Sequence, residues 1–235
     1  MPAPPALRPA PPDAGERDVR FDLFRGACVL LMIFGHLGWR SLEVHFRLGF
    51  VSVAEGFFLI SGATLGVVGA RYAARGDTAM LARRLPRRGV WLFAANLVGV
   101  ALYRALTGPL FPAAQMAEYW QGVPALAQWL SFDQPSVLNV LPRYALFLLV
   151  VPLVLFALAR GHQLAVLAGS AALWLANFGL AGALRLPWLE TGHAPYPAAS
   201  WQLLFFGGMA IAHRLRGRPP ARLPPALLPA ALLAV

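Results

Sequence analysis

Apolar runs about as long as a bilayer is thick recur along the chain, separated by short segments that carry its charges. The first runs over 21–39 (FDLFRGACVLLMIFGHLGW), the second over 48–70 and the third over 89–107. The fourth covers 136–159, the fifth 162–183 and the sixth, which is short, 199–213. The others are near the roughly 20 residues that a membrane helix needs. A seventh run starts near Leu223 and is unfinished at Val235, which reads as a fragment of a longer protein. The stretch 108–134 is mixed, with Pro, Trp and acidic residues, and is expected to be a long loop holding a short interfacial helix. A Pro- and Gly-bearing loop separates the fifth and sixth runs. Residues 1–20 are rich in Pro and Ala and lack the apolar core of a signal peptide. They read as a disordered cytoplasmic tail. The expected fold is all-α: a polytopic integral membrane helical bundle with about six complete spans and a truncated seventh, forming one domain over 21–235.

Composition excludes the main alternatives. Of 235 residues, 58% are hydrophobic and 13% charged, with a mean hydropathy of +0.60. Soluble domains carry roughly 25% charged residues. A water-soluble globule of this size has too little polar surface to cover so much apolar mass, so an ordinary soluble enzyme is excluded. A disordered chain and a disulfide scaffold are excluded as well, the latter because Cys28 is the single cysteine.

The net charge of +10 and pI of about 11.3 invite a nucleic-acid reading. The placement of the charge argues against it. All 20 basic residues are Arg. Arg71, Arg75, Arg83, Arg84, Arg87 and Arg88 lie between the second and third runs, and Arg214, Arg216, Arg218 and Arg222 follow the sixth. If spans alternate, these segments, the tail and Arg160 share one side, which the positive-inside rule makes cytoplasmic. The expected partners are then membrane lipids and no nucleic acid. The amino terminus is cytoplasmic and 108–134 faces outward.

Ionisable groups inside spans cost about 2.5–3.5 kcal/mol each on insertion scales, so they default to functional or paired roles. The candidates are Asp22, Arg25, His36, Glu55 and Arg143. The eleven residues from Arg25 to His36 turn a helix by roughly 1100°, about 20° past three turns, and rise about 16.5 Å. Both side chains therefore share a stripe, the cation toward the inner end and the imidazole toward the outer. Asp22 lies one turn from Arg25, close enough to pair. Counted from the outer ends of their spans, His36, Glu55 and Arg143 fall in one layer. A carboxylate that orients an imidazole makes a good general base, and a guanidinium there is suited to an oxyanion or an anionic group. Each candidate also has a structural reading. Asp22–Arg25 can be an interfacial ion pair, His36 an interhelical hydrogen bonder, and Glu55 and Arg143 each other's counter-ions. Gly62, Gly66 and Gly69 form a small-residue stripe suited to helix packing. Trp39, Trp91 and Trp201 read as interface or packing residues. No metal site is read from the sequence.

The first-run segment RFDLFRGACVLLMIFGH resembles the motif of the membrane-bound acyltransferase-3 superfamily, an Arg followed after ten residues by a His, here Arg25 and His36. SVAEGFFLISGATLG resembles its acidic, Phe-Phe, Leu-Ser-Gly block through Glu55, Phe57, Phe58, Ser61 and Gly62. Within the superfamily the chain is most similar to the OpgC branch. The shared features are Arg17, Asp18, Arg20 and Asp22, then Leu141-Pro142 with Tyr144, and Trp201 to Phe205. These blocks appear in order over about 17–213. The resemblance implies an inner-membrane enzyme with about ten spans, of a branch that succinylates osmoregulated periplasmic glucans. It implies transfer of an acyl group, possibly succinyl in this branch, from cytoplasmic acyl-CoA to a hydroxyl of a periplasmic glycan, with no permanently bound cofactor. His36 would act as the base or a transient acyl carrier, with Glu55 orienting it. Arg25 with Asp22 would serve the donor and Trp201 would contact substrate; Arg143 stands where the branch is expected to carry an apolar residue, and reads as a substrate-binding cation for the oxyanion or the acyl carboxylate. Two other readings stay open: a transmembrane N-acetyltransferase of the heparan-glucosaminide type, and a glycan transporter or flippase using the buried charges as a relay.

Overall fold

The computed structural model describes residues 19–36, 53–107, 113–134, 139–180, 183–191 and 197–216, and all regular structure among them is helical. In chain order the helices are α1 (Val19–His36), α2 (Val53–Ala74), α3 (Thr78–Thr107), α4 (Ala113–Tyr119), α5 (Ala125–Leu130), α6 (Val140–Ala159), α7 (Gln163–Gly179) and α8 (Ala198–Arg216). The amino-terminal tail before Val19 and the seventh apolar run lie outside the described residues.

Each of the six complete apolar runs contains a helix. Three are long and apolar enough to cross a bilayer: α2, the Thr78–Leu106 part of α3, and α6. The other three fall short for different reasons. α1 carries Arg20, Asp22 and Arg25 in its first two turns, α7 has 17 residues, and α8 ends in His213, Arg214 and Arg216. The expected count of six complete spans is therefore met in part.

α3 corrects the sequence reading. It begins at Thr78, so Arg83, Arg84, Arg87 and Arg88 lie on a helix, not in a loop. Arg is a good helix former, and this outweighs Pro86, which deprives the helix of one backbone hydrogen bond. The long segment 108–134 holds two short helices where one was expected.

Two tight reversals set the packing. Gly76 (φ 74°) ends α2, with the Asp77 N–H donating to the Tyr72 carbonyl (2.9 Å) and that of Gly76 to Ala73 (3.1 Å). Gly161 (φ 85°) ends α6 in the same way, through His162 to Ala157 and Gly161 to Leu158, each 3.0 Å. Both are Schellman closures, which need a residue at positive φ and so favour glycine.

α2 and α8 run parallel in the closest helix pairing of the bundle. Phe58 meets Trp201, Gly62 meets Phe205 and Gly66 meets Met209. A side-chain carbon at Gly62 or Gly66 would overlap the carbonyl oxygen of the facing residue, and one at Gly208 would lie 2.7 Å from the Leu59 carbonyl oxygen. The glycine stripe is thus a packing surface that lets two backbones touch. α6 lies parallel to α2 and antiparallel to α3, against which Gly89 meets Ala145 and Leu148. Rings from three helices fill the centre. Phe57 packs on Tyr144 (5.4 Å), Phe58 on Phe147 (5.5 Å) and Phe147 on Phe205 (5.3 Å). Such pairs add about 0.5–1.5 kcal/mol each beyond area burial. The outward faces are apolar too: Trp91 and Leu106 on α3, Leu153 on α6 and Phe178 on α7 are all largely exposed. Apolar surface of that extent belongs in lipid.

Candidate functional site

Two charged regions stand out, and they are built differently. The first lies where α6 and α8 begin. Arg143 sits in the first turn of α6 and is 2% exposed. Its guanidinium pairs with Asp133 through Nη2 and with Glu190 through Nε (3.2 Å). Nη1 donates to the Phe132 carbonyl (3.0 Å) and the Asn139 carbonyl (2.8 Å). Every nitrogen of the fork is engaged.

The two carboxylates outnumber the cation, and backbone donors make up the difference. Glu190 accepts from Ala198 N–H (2.7 Å), the first residue of α8, and from Leu186 N–H (3.1 Å). A carboxylate at a helix start is favoured by the unpaired N–H groups and the dipole there. The Phe132 N–H donates to the Leu189 carbonyl (2.6 Å), and Ser131 Oγ to the same oxygen (3.3 Å). Tyr119 closes the region from α4, its hydroxyl donating to the Asp133 carbonyl (2.7 Å). Burial, then the Asp133 charge and Tyr103, push the Tyr119 phenol up to about 12. The cluster thus ties segments 131–134 and 183–191 to the heads of α6 and α8. Behind the second segment lies a cavity of about 430 Å³, mostly apolar, with Arg185 and Gln202 in its lining.

The second region is a cavity of about 800 Å³ among α1, α2, α3 and α6, lined by Asp22, Arg25, Thr64, Arg88, Tyr144 and apolar residues. It extends along α2 from Phe57 to Val68, eleven residues or about 16.5 Å. Arg25 lies over the Phe57 ring at 6.0 Å, and its Nε is buried without a hydrogen-bond partner. Two guanidiniums line the cavity against one carboxylate, an electrostatic bias toward an anionic occupant.

The OpgC family model, described as OpgC protein, matches residues 17–235. The chain belongs to the OpgC family. No curated protein and no solved structure matches it.

The OpgC match contains every residue singled out from the sequence. Arg25 and Asp22 come together at the larger cavity. Arg25 is expected far from Glu55, near the opposite end of its span. It instead sits at the level of Phe57, two residues on from Glu55, because α1 packs Phe24 and Cys28 around Gly56 at the start of α2. Glu55 is half-buried in the first turn of α2. His36 is the last residue of α1, and its side chain lies outside the described residues. Arg143 is expected in one layer with His36 and Glu55; its neighbour Tyr144 packs on Phe57, two residues on from Glu55, but its guanidinium closes on Asp133 and Glu190. Trp201, in the first turn of α8, packs edge-on against Phe58 at 4.7 Å. Sequence reasoning missed Asp133 and Glu190. The available signal was scarcity: the chain has only 10 acidic residues, and these two fall in the irregular segments before α6 and after α7.

Proposed function

We propose that this OpgC-family chain is a membrane-bound O-acyltransferase. It moves an acyl group, succinyl in the specific form of the reading, from cytoplasmic acyl-CoA to a hydroxyl of a periplasmic glycan. The observation that carries the reading is the larger cavity, with Arg25 Nε buried and unpartnered beside it. A buried guanidinium nitrogen left without an acceptor is costly among apolar helices, and an anionic or carbonyl-bearing ligand offsets that cost. The cavity also has the length to let an extended thioester arm pass between levels of the bundle.

The reading places the chain in a bacterial inner membrane, with its amino terminus cytoplasmic and with α1, α2, α3, α6, α7 and α8 as six spans. The parallel course of α2, α6 and α8 supports the alternation. So does the segregation of Arg71, Arg75 and Arg214 to the ends of α2 and α8 remote from 131–134 and 183–191.

Arg25, with Asp22, receives the donor, and Arg88 adds a second positive wall. The glycan hydroxyl oxygen attacks the thioester carbon while His36 takes the hydroxyl proton. The carbon–sulfur bond then breaks, and the departing thiolate takes that proton from the imidazolium. The donor is a substrate, and the reading needs no resident cofactor. Arg143 holds the outer segments in place, since its donors are committed, and Trp201 backs the wall at Phe58.

The test uses the complete protein in proteoliposomes, with acyl-CoA on one side and a glucan oligosaccharide on the other. His36→Ala is expected to lower acylated product by about 10²–10⁴-fold, the range for loss of a general base. Wild-type yield from that variant would overturn the assignment. An amide product by mass analysis would favour the N-acetyltransferase, and glycan movement without acyl-CoA would favour the transporter.

A further inference from the structure

The turn at 186–190 holds a feature that packing does not explain. Trp188 has φ 64°, the one positive φ among the described non-glycine residues, and is 77% exposed. A bulky L-residue is strained there, and such strain persists only where the surroundings enforce it. They do so on both flanks. The Glu190 N–H donates to the Leu186 carbonyl (3.0 Å), and the Glu190 carboxylate holds both the Leu186 N–H and Arg143. The Phe132 N–H binds the Leu189 carbonyl. The backbone is fixed while the indole stands in the open.

A ring that only anchors the chain among lipid headgroups needs no such fixed turn, because those contacts are fluid. A platform for a rigid ligand does need one. The position suits a ligand at the outer end. The turn is bonded to the heads of α6 and α8, and α2 runs parallel to both, so the α2 end that carries Glu55 lies on the same side. Trp129, 43% exposed on α5, is a second indole at that end, with the Arg104 guanidinium 4.3 Å over its ring.

We propose that Trp188 is a binding residue for the acceptor glycan, stacking its indole on the C–H face of a pyranose ring. The electron-rich face of an indole attracts the weakly positive C–H edge of a sugar, as it does the edges of other rings. The proposal rests on the acyltransferase reading for the identity of the acceptor.

The experiment uses the full protein in nanodiscs with a neutral glucan oligosaccharide as probe. Trp188→Gly deletes the ring and relieves the backbone. It is expected to leave stability unchanged or raised while acceptor KM increases at least tenfold, with donor KM unchanged. Trp188→Tyr retains a ring and is expected to stay within about threefold of wild type. Oligosaccharide should shift the Trp188 emission, read as wild type minus Trp188→Gly, whereas lipids with brominated chains should leave it unquenched. An unchanged acceptor KM in Trp188→Gly overturns the proposal, as does quenching by the lipids without response to the sugar. If wild-type protein transfers no acyl group yet the oligosaccharide still shifts the Trp188 emission, the enzymatic reading fails and this one stands. If transfer proceeds with KM indifferent to Trp188, the outcome is reversed.

Discussion

Arg143 and Arg25 are both guanidiniums set among apolar helices, and the protein treats them in opposite ways. Arg143 is enclosed by two carboxylates and two carbonyls, with no nitrogen left over. Arg25 borders a cavity, with one buried nitrogen unpartnered and an aromatic ring as its neighbour. A buried charge whose donors are all used can only hold structure together. A half-buried one that leaves a donor nitrogen open beside a cavity has capacity left for a ligand. Residue type and hydropathy are the same in both cases, so the difference lies entirely in the partners.

Removing each cation should therefore have opposite consequences. Arg143→Met leaves Asp133 and Glu190 buried without the guanidinium they both face. Breaking a buried pair in this way costs about 3–5 kcal/mol, measured as unfolding in detergent. A loss below about 1 kcal/mol would mean that water reaches the carboxylates and that the contrast with Arg25 is false. The triple variant Arg143→Met, Asp133→Leu, Glu190→Met should recover part of the loss, because like-sized apolar groups remove the unpaired charges. Recovery stays incomplete, since the cap that Glu190 gives α8 is gone.

A packing variant separates charge from contact. Gly66→Ala places a methyl group against the Met209 backbone, so α2 and α8 must part. The expected cost is about 1–3 kcal/mol, at a contact that involves neither guanidinium. If Gly66→Ala equals Arg143→Met in cost, the cluster holds no special share of the stability.

Arg25→Met should change stability little, or raise it, because it deletes a buried donor that has no acceptor. Its effect falls on the donor: KM for acyl-CoA should rise about tenfold, which corresponds to about 1.4 kcal/mol. Arg25→Lys should recover part of that, as a point charge without the fork. A destabilised Arg25→Met with normal donor KM would make Arg25 a structural cation like Arg143.

This contrast was only half legible in the sequence. Helix positions could be read closely, because apolar run length is a local property: 136–159 became Val140–Ala159 and 199–213 became Ala198–Arg216. The glycine stripe was legible for the same reason, since small residues at helical spacing mark one face. The start of α3 was not, because an Arg-rich stretch reads as loop by hydropathy and as helix by propensity, and here propensity won. The partners of Arg143 were not legible either. Asp133 and Glu190 come from irregular segments 57 residues apart, and no periodicity links them. Depth counted along ideal spans puts Arg143 level with Glu55, and the Phe57–Tyr144 contact agrees, but depth names no partner. It puts Arg25 far from Glu55, where the structure sets it beside Phe57, because helices are not upright rods with independent ends. The offset between α1 and α2, and the loops that fold back over the helix ends, are set by tertiary contacts.

The smallest expected effect tests whether the surroundings of Arg143 are as dry as the comparison requires. Tyr119 donates to the Asp133 carbonyl, and burial, the Asp133 charge and Tyr103 push its phenol up to about 12. An ordinary tyrosine titrates near 10. The folded state therefore favours the neutral phenol. Its contribution to stability is fully present below pH 10 and is lost as pH rises from about 10 through 12. An alkaline titration of phenolate absorbance should show a late component near pH 12 that Tyr119→Phe abolishes. In Arg143→Met, protein that remains folded but admits water should move that component back toward 10. If the component is unmoved there, Tyr119 is shielded independently of the guanidinium, and the dryness of the cluster does not depend on its charge pairing.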